Sequence, residues 1–205
     1  PGQAAQGPDM KIINNKLYLK IVFFGTALAG KTTSLKWLFR HAIPDEFKTV
    51  DQVRSLETSF GQTLFFDFIP IQVSSDIIVR LFTTTGQDYY HRTRRLFFED
   101  VDGIFLVVDS QKKELEHNRE FVAELRQYLE TVEVLKEAEI VVLYNKQDRD
   151  DVYPPDELER SLLLTGYPSF PVCASSGKNL LPAFILMMDH ILNKLRERTP
   201  HALSQ

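Results

Sequence analysis

The run Gly25-Thr26-Ala27-Leu28-Ala29-Gly30-Lys31-Thr32 has the spacing GxxxxGK followed by a hydroxyl residue. That spacing suits a loop that wraps its main-chain amides around phosphate oxygens. Glycines let the backbone turn its N–H groups inward, and a helix starting at Lys31 would add unpaired donors and a positive dipole end. Lys31 can reach the terminal phosphates of a nucleoside triphosphate, and the Thr32 hydroxyl can ligate Mg²⁺. Gly25, Leu28, Ala29, Gly30, Lys31, Thr32 and Thr33 are therefore the expected phosphate-side contacts.

A second chemistry stands at Asn145-Lys146-Gln147-Asp148. The Asp148 carboxylate can accept from N1–H and the 2-amino group of guanine. Adenine has an acceptor at N1 and no such amino group, so the same carboxylate rejects it. Lys146 is expected to lie along the base, and Asn145 to tie this loop to the phosphate loop. Taken alone, the four residues also read as a solvated strand-end turn. Support comes from Cys173-Ala174-Ser175-Ser176-Gly177, where the Ala174 amide is placed to donate to guanine O6 and Ser175 flanks it. The ligand so expected is GTP or GDP with Mg²⁺.

Two further segments are expected to sense a γ-phosphate. Thr63 can offer its hydroxyl to Mg²⁺ and its amide to the phosphate; it reads equally as a strand-start residue, with Thr58 and Ser59 close by. In Thr83-Thr84-Thr85-Gly86-Gln87, the Gly86 amide can meet the γ-phosphate and Gln87 can orient a water for in-line attack. Gln87, Lys31 and Gly86 are thus the expected catalytic groups. Arg92, Arg94 and Arg95 follow; a solvated basic face or partner contact is the simpler reading, and charge stabilisation in the reaction is the other.

The elements that must position these residues alternate along the chain. Strands are expected at Leu17 to Phe24, Thr63 to Val73, Ile77 to Phe82, Gly103 to Asp109, Ile140 to Tyr144 and Phe170 to Ala174. Helices are expected at Lys31 to Arg40, Tyr90 to Glu99, Leu115 to Leu129, Asp156 to Leu164 and Leu180 to Arg196. Short all-apolar runs such as Ile104 to Val108 suit strands covered on both faces. Thr63 to Phe82 leaves no room for a helix, so a hairpin there makes one edge strand antiparallel. The fold class is α/β: a P-loop NTPase three-layer sandwich around a mostly parallel six-stranded sheet.

With 205 residues, 43% hydrophobic and 25% charged, the chain has the composition of one globular domain, and a net charge of −4 argues against a nucleic-acid surface. Residues 1–9 read as a tag remnant or a disordered extension, 10–198 as the nucleotide-binding domain, and 199–205 as a tail. A single cysteine fits a reducing, cytoplasmic setting. No segment has the length or pattern of a membrane span or a direct lipid anchor.

In this order and spacing, the motifs resemble the Ras superfamily of small GTPases from Lys16 to Arg196. Within it they look most like the gliding-motility and cell-polarity GTPase family MglA. The residues that carry this likeness are Ala29 to Thr33 with Leu35-Lys36-Trp37, Thr63 to Phe68, Thr83 to Gln87, and Val101-Asp102-Gly103. Asn145 to Asp148 and Cys173 to Gly177 look equally like the Arf family, without its amphipathic N-terminal helix. The resemblance implies a GTP-loaded form that binds effectors, a Roadblock-type partner that stimulates hydrolysis, and switching that shifts a hairpin strand. Two departures stand out. From Ras-like proteins in general, and in common with MglA, Thr83 departs by occupying the place of the usual Asp; Asp67 reads equally as a substitute for it or as a polar edge-strand residue. From MglA itself, Gln62 departs by occupying the place of an arginine. Slow hydrolysis without an activator is expected. The rival readings are a nucleotide-binding interaction module with little turnover, and an Arf-like trafficking switch.

Overall fold

The computed structural model describes residues 12–41, 54–57, 63–84 and 98–198, with backbone alone for 54–57 and 63–68. In chain order the elements are β1 (Ile12–Ile13), β2 (Lys16–Phe24), α1 (Lys31–His41), β3 (Arg54–Glu57), β4 (Thr63–Gln72), β5 (Ile77–Thr83) and β6 (Gly103–Asp109). Then come α2 (Leu115–Thr131), β7 (Glu139–Asn145), α3 (Pro155–Ser161), β8 (Ser169–Pro171) and α4 (Leu180–Arg198).

One sheet runs β3-β4-β5-β2-β6-β7-β8, with β1 paired to the start of β2. From β5 through β8 every pairing is parallel, so the carboxyl ends of β5, β2, β6, β7 and β8 share one rim. β4 is antiparallel to β5, which carries its first residue, Thr63, to that same rim.

Side-chain alternation sorts the core. On β2, Leu19, Ile21 and Phe23 face α1 and α4, whereas Val22 and Phe24 face α2 and α3. All seven residues of β6 are buried, as a strand covered on both faces requires. Phe24 sits at the centre of an aromatic group, with Phe98 and Phe121 each 5.5 Å away between ring centroids. Among the described residues no helix is long and apolar enough to cross a membrane.

All six expected strands form, and the expected antiparallel hairpin strand is β4. The count and the edge need correction: β1 and β3 make the sheet eight-stranded, and β3 pairs with the outer side of β4. β1 closes through Asn14 and Asn15 at φ 50° and 59°, a two-residue turn that asparagine tolerates. β3 has no apolar alternation in Arg54-Ser55-Leu56-Glu57; hydrogen bonding to an open edge makes it a strand. α3 ends three residues before the expected Leu164. Leu163 turns left-handed at φ 53°, and Arg126 from α2 donates to the carbonyls of Leu162 and Leu163 at 2.8 and 2.7 Å. The helix expected over Tyr90 to Glu99 lies outside the described residues, apart from its last two positions, which form a turn with Asp100. The expected terminal segments 1–9 and 199–205 also lie outside them.

Tyr144 on β7 is wholly buried, and its hydroxyl has no hydrogen-bond partner among the described residues. Burial, reinforced by the charge of Glu159, pushes this phenol well above its usual range. A hydroxyl buried without a partner costs about 1–3 kcal/mol, so Tyr144→Phe should raise the unfolding free energy by about 1 kcal/mol. The raised pKa also means that the unfolded state ionises first, so stability is lost as pH climbs above about 10. Urea unfolding at neutral and alkaline pH should show a higher midpoint for Tyr144→Phe and a shallower alkaline decline.

Candidate functional site

The phosphate loop leaves β2 at Gly25 and enters α1 at Lys31. Gly25, Leu28 and Gly30 have φ of 151°, 61° and 103°. A Cβ on Gly25 would run into the Val107 carbonyl, and one on Gly30 into the Asn145 amide. Both positions therefore need glycine, for conformation and for room. Leu28 adopts its left-handed turn at the crest of the loop, where it is 89% exposed. Ala29 is buried beneath. The helix begins with Ser34 N–H donating to Gly30 O at 2.9 Å, leaving the first-turn amides without intrahelical acceptors.

Lys31 is 7% exposed, and its ammonium donates to Gly25 O at 2.8 Å and Thr26 O at 2.5 Å. The loop's own carbonyls thus hold a buried cation inside its curve. Thr32 is half-buried and Thr33 exposed on the same turn. The Thr26 hydroxyl is buried within the loop, with no hydrogen-bond partner among the described residues.

Asn145 is the join between the two loops. Its Nδ2 donates to Ala29 O at 2.7 Å, and its Oδ1 accepts from Ala174 N–H at 2.9 Å. The expected tie to the phosphate loop is present in the geometry. Ala174 N–H, the expected donor to a base oxygen, is engaged by Asn145 in this structure. That bond also ends β8 earlier than the expected Ala174. After Val172 N–H reaches Tyr144 O at 2.8 Å, the chain turns away from β7 and closes a loop through the Cys173–Lys178 bridge. Ser175 stands exposed on that loop, 3.1 Å from the Cys173 sulfur between side-chain atoms.

Lys146 takes φ 67°, and its ammonium donates to Asp109 Oδ2 at 2.5 Å and Gln111 Oε1 at 3.3 Å. Asp109, at the end of β6, is buried and further held by Gln111 N–H at 3.1 Å. Asn118 of α2 brackets its backbone, accepting from Asp109 N–H and donating to Asp109 O. This arrangement was missed in sequence, because Asp109 reads as an ordinary strand end. Its one signal was an acidic residue closing an otherwise apolar strand. Gln147 turns inward instead, donating to Ser110 Oγ at 2.7 Å. Asp148 is exposed at the mouth, with no hydrogen bond or ion pair among the described residues.

Beside β2, Thr83 is buried in register with Phe23, and Thr84 donates to Phe23 O through both N–H and hydroxyl, at 3.1 and 3.3 Å. Thr83 therefore ends a strand directly beside the phosphate-loop strand. Asp67 follows the Phe68–Phe82 pair toward the rim, so its backbone lies next to that position. Gly86, Gln87, Gln62 and the arginines 92, 94 and 95 lie outside the described residues. The structure thus brings together the phosphate loop, Asn145, Lys146, Asp148, Ala174, Ser175 and the start of β4 on one rim, where strand order reverses about β2. Ligands of open α/β sheets bind at such a switch point.

Gly30→Ala should force Asn145 aside and strain the backbone, lowering unfolding free energy by roughly 3 kcal/mol. Chemical denaturation without added nucleotide reads this directly.

The ADP-ribosylation factor family matches residues 9–191, from before β1 well into α4. The mutual gliding-motility protein MglA of Myxococcus xanthus is 30% identical over 196 residues, covering 92% of this chain and 99% of that protein. The Ras-like GTP-binding protein RHO1 of Entamoeba histolytica is 27% identical over 175 residues, covering 82% of this chain and 75% of that protein. In fold, the Arl6 BBS3 small GTPase of Trypanosoma brucei, solved with the nucleotide analogue GppNp, matches with a TM-score of 0.67. It is 16% identical, and the match covers 86% of this chain and 99% of that one. Both likenesses expected from the motifs, to MglA and to Arf, are therefore found. A match that spans phosphate loop, Asn145 clamp and C-terminal helix together places this chain in the ADP-ribosylation factor family of small GTPases.

Proposed function

We propose that the rim binds GTP and GDP, hydrolyses GTP, and works as a binary switch whose two states differ in the segments around Thr63 and Gly86. The observation that carries this reading is Asn145, which joins the phosphate loop to the base loop through two buried hydrogen bonds. A side chain so placed fixes the distance between a polyphosphate site and a purine site.

In this reading the loop amides and Lys31 bind the phosphates. Lys146, anchored to buried Asp109, lays its stem along the base, and the exposed Asp148 carboxylate accepts from the guanine N1–H and 2-amino groups. The Ala174 amide reaches guanine O6 by sharing its hydrogen with Asn145, with the Ser175 amide beside it. Gly86 meets the γ-phosphate and Gln87 orients the attacking water. Little covalent chemistry is required of the protein, since positioning and electrostatics carry phosphoryl transfer.

Magnesium suits this donor set. The ion keeps most of its water, and here it would be held by the Thr32 hydroxyl on the first helical turn and by Thr63. When bound it neutralises charge between the terminal phosphates. The buried hydroxyl of Thr83 supplies a neutral acceptor where an Asp is usual; with Gln62 in place of an arginine, it favours slow turnover without an activator. By likeness to MglA, the process served is cell polarity or motility, with effectors that bind the GTP form and a Roadblock-type activating partner.

Asp148→Asn should weaken GDP binding by about 100-fold, since two hydrogen bonds to a charged acceptor are lost. It should bind xanthosine diphosphate better than the parent does, because the Asn amide can donate to the added base oxygen. Isothermal titration with both nucleotides checks this. In single-turnover assays of bound GTP, Gln87→Ala should slow hydrolysis at least about tenfold, the equivalent of one oriented hydrogen bond. No hydrolysis by the parent, even with a Roadblock-type partner, would leave the binding-module reading standing in its place.

A further inference from the structure

We infer that Trp37 is a positioning residue for guanine recognition: its indole seats the base-reading loop from Cys173 to Lys178. The inference rests on the nucleotide reading above, and it adds a residue on α1 that is not among the expected nucleotide contacts.

Trp37 is the only tryptophan of the chain and lies near the end of α1, half-buried at the margin of the core. Gly177 takes φ 79° and is buried; a Cβ there would land on the indole ring, against Cε2, Cζ2 and Nε1. The backbone of the loop therefore rests directly on the tryptophan. The indole also stacks with His41, 4.6 Å between centroids and 18° between planes. His41 in turn bonds the Trp37 carbonyl through Nδ1 at 2.9 Å. The ring is thus held in one orientation by its own helix.

The loop's other fixings lie within it, at its base, where Leu180 N–H donates to Gly177 O at 3.1 Å, and beneath Ala174, which is buried in the core. Gly177 N–H donates to Cys173 O at 2.8 Å, and Cys173 N–H to Lys178 O at 3.3 Å, both within the loop. Asn179 Nδ2 donates to Pro171 O at its base. Toward the nucleotide site its anchor is Asn145 at Ala174. Ala174 and Ser175 therefore sit between two supports, Asn145 on the site side and Trp37 behind. Because α1 also presents the phosphate-side amides at its first turn, one rigid helix carries the phosphate contacts at one end and backs the base contacts at the other.

The experiment compares GDP with the diphosphate of 2-aminopurine riboside, which keeps the 2-amino group but lacks both the O6 that the loop amides would read and the N1–H that Asp148 would read. The second loss is common to every variant, so a change in discrimination caused at Trp37 reports on O6. The parent should prefer GDP. Trp37→Ala should weaken GDP about tenfold, the scale of one hydrogen bond, while leaving the analogue's affinity unchanged, so that discrimination falls. Trp37→Phe, which keeps a ring against Gly177, should restore most of it. Gly177→Ala should cut discrimination in the parent, and should cut it much less when Trp37 is already Ala, since the clash is then gone. Equal weakening of both nucleotides in Trp37→Ala, or strictly additive Gly177 and Trp37 effects, would reduce Trp37 to a packing residue and overturn the inference. A parent that fails to discriminate would instead overturn the guanine reading, and this inference with it. If Trp37→Ala does not fold, the Phe and Gly177→Ala variants decide alone.

Discussion

The carboxamide of Asn145 is the constraint on which the rest of the site depends. Buried at the end of β7, it accepts from one loop and donates to another, so that three strand ends are held in a fixed relation. Buried amides left half-satisfied are costly, so neither loop can move off without stranding a polar group. The glycine at position 30 is part of the same arrangement, because any side chain there would occupy the volume of that amide.

Around this clamp the sheet does the coarse work. Five parallel strands deliver their carboxyl ends to one rim, and the two core layers lock those strands between α1 and α4 on one face and α2 and α3 on the other. The antiparallel hairpin brings the start of β4 to the rim from the opposite chain direction. Charges are arranged with similar economy. Lys31 is buried against its own loop's carbonyls, Lys146 against Asp109, and Asp148 is left to solvent.

Much of this was legible in the chain. Period-two and all-apolar runs located every long strand, because a strand buried on both faces cannot be written in polar residues. The glycines and Lys31 marked the phosphate loop because few other residue types can form it, whereas the Asn145–Asp148 run was read only in their company. Less legible were β3, whose strand character comes from a neighbour's open edge, and the early end of α3, which Arg126 imposes from another helix. The antiparallel strand was expected at the sheet's margin and proved to be one place in from it.

The sequence by itself determined the element types, the parallel core and the phosphate loop, and it marked the Asn145–Asp148 run as the expected base loop. Those follow from local periodicity and from residue chemistry that does not depend on partners. Only the tertiary structure decided who pairs with whom at the rim. Ala174 gives its amide to Asn145, Lys146 is steered by Asp109 and Gln111, and Trp37 lies under Gly177. Each of these joins residues brought together by sheet order and helix packing, and distance along the chain carries no trace of such contacts.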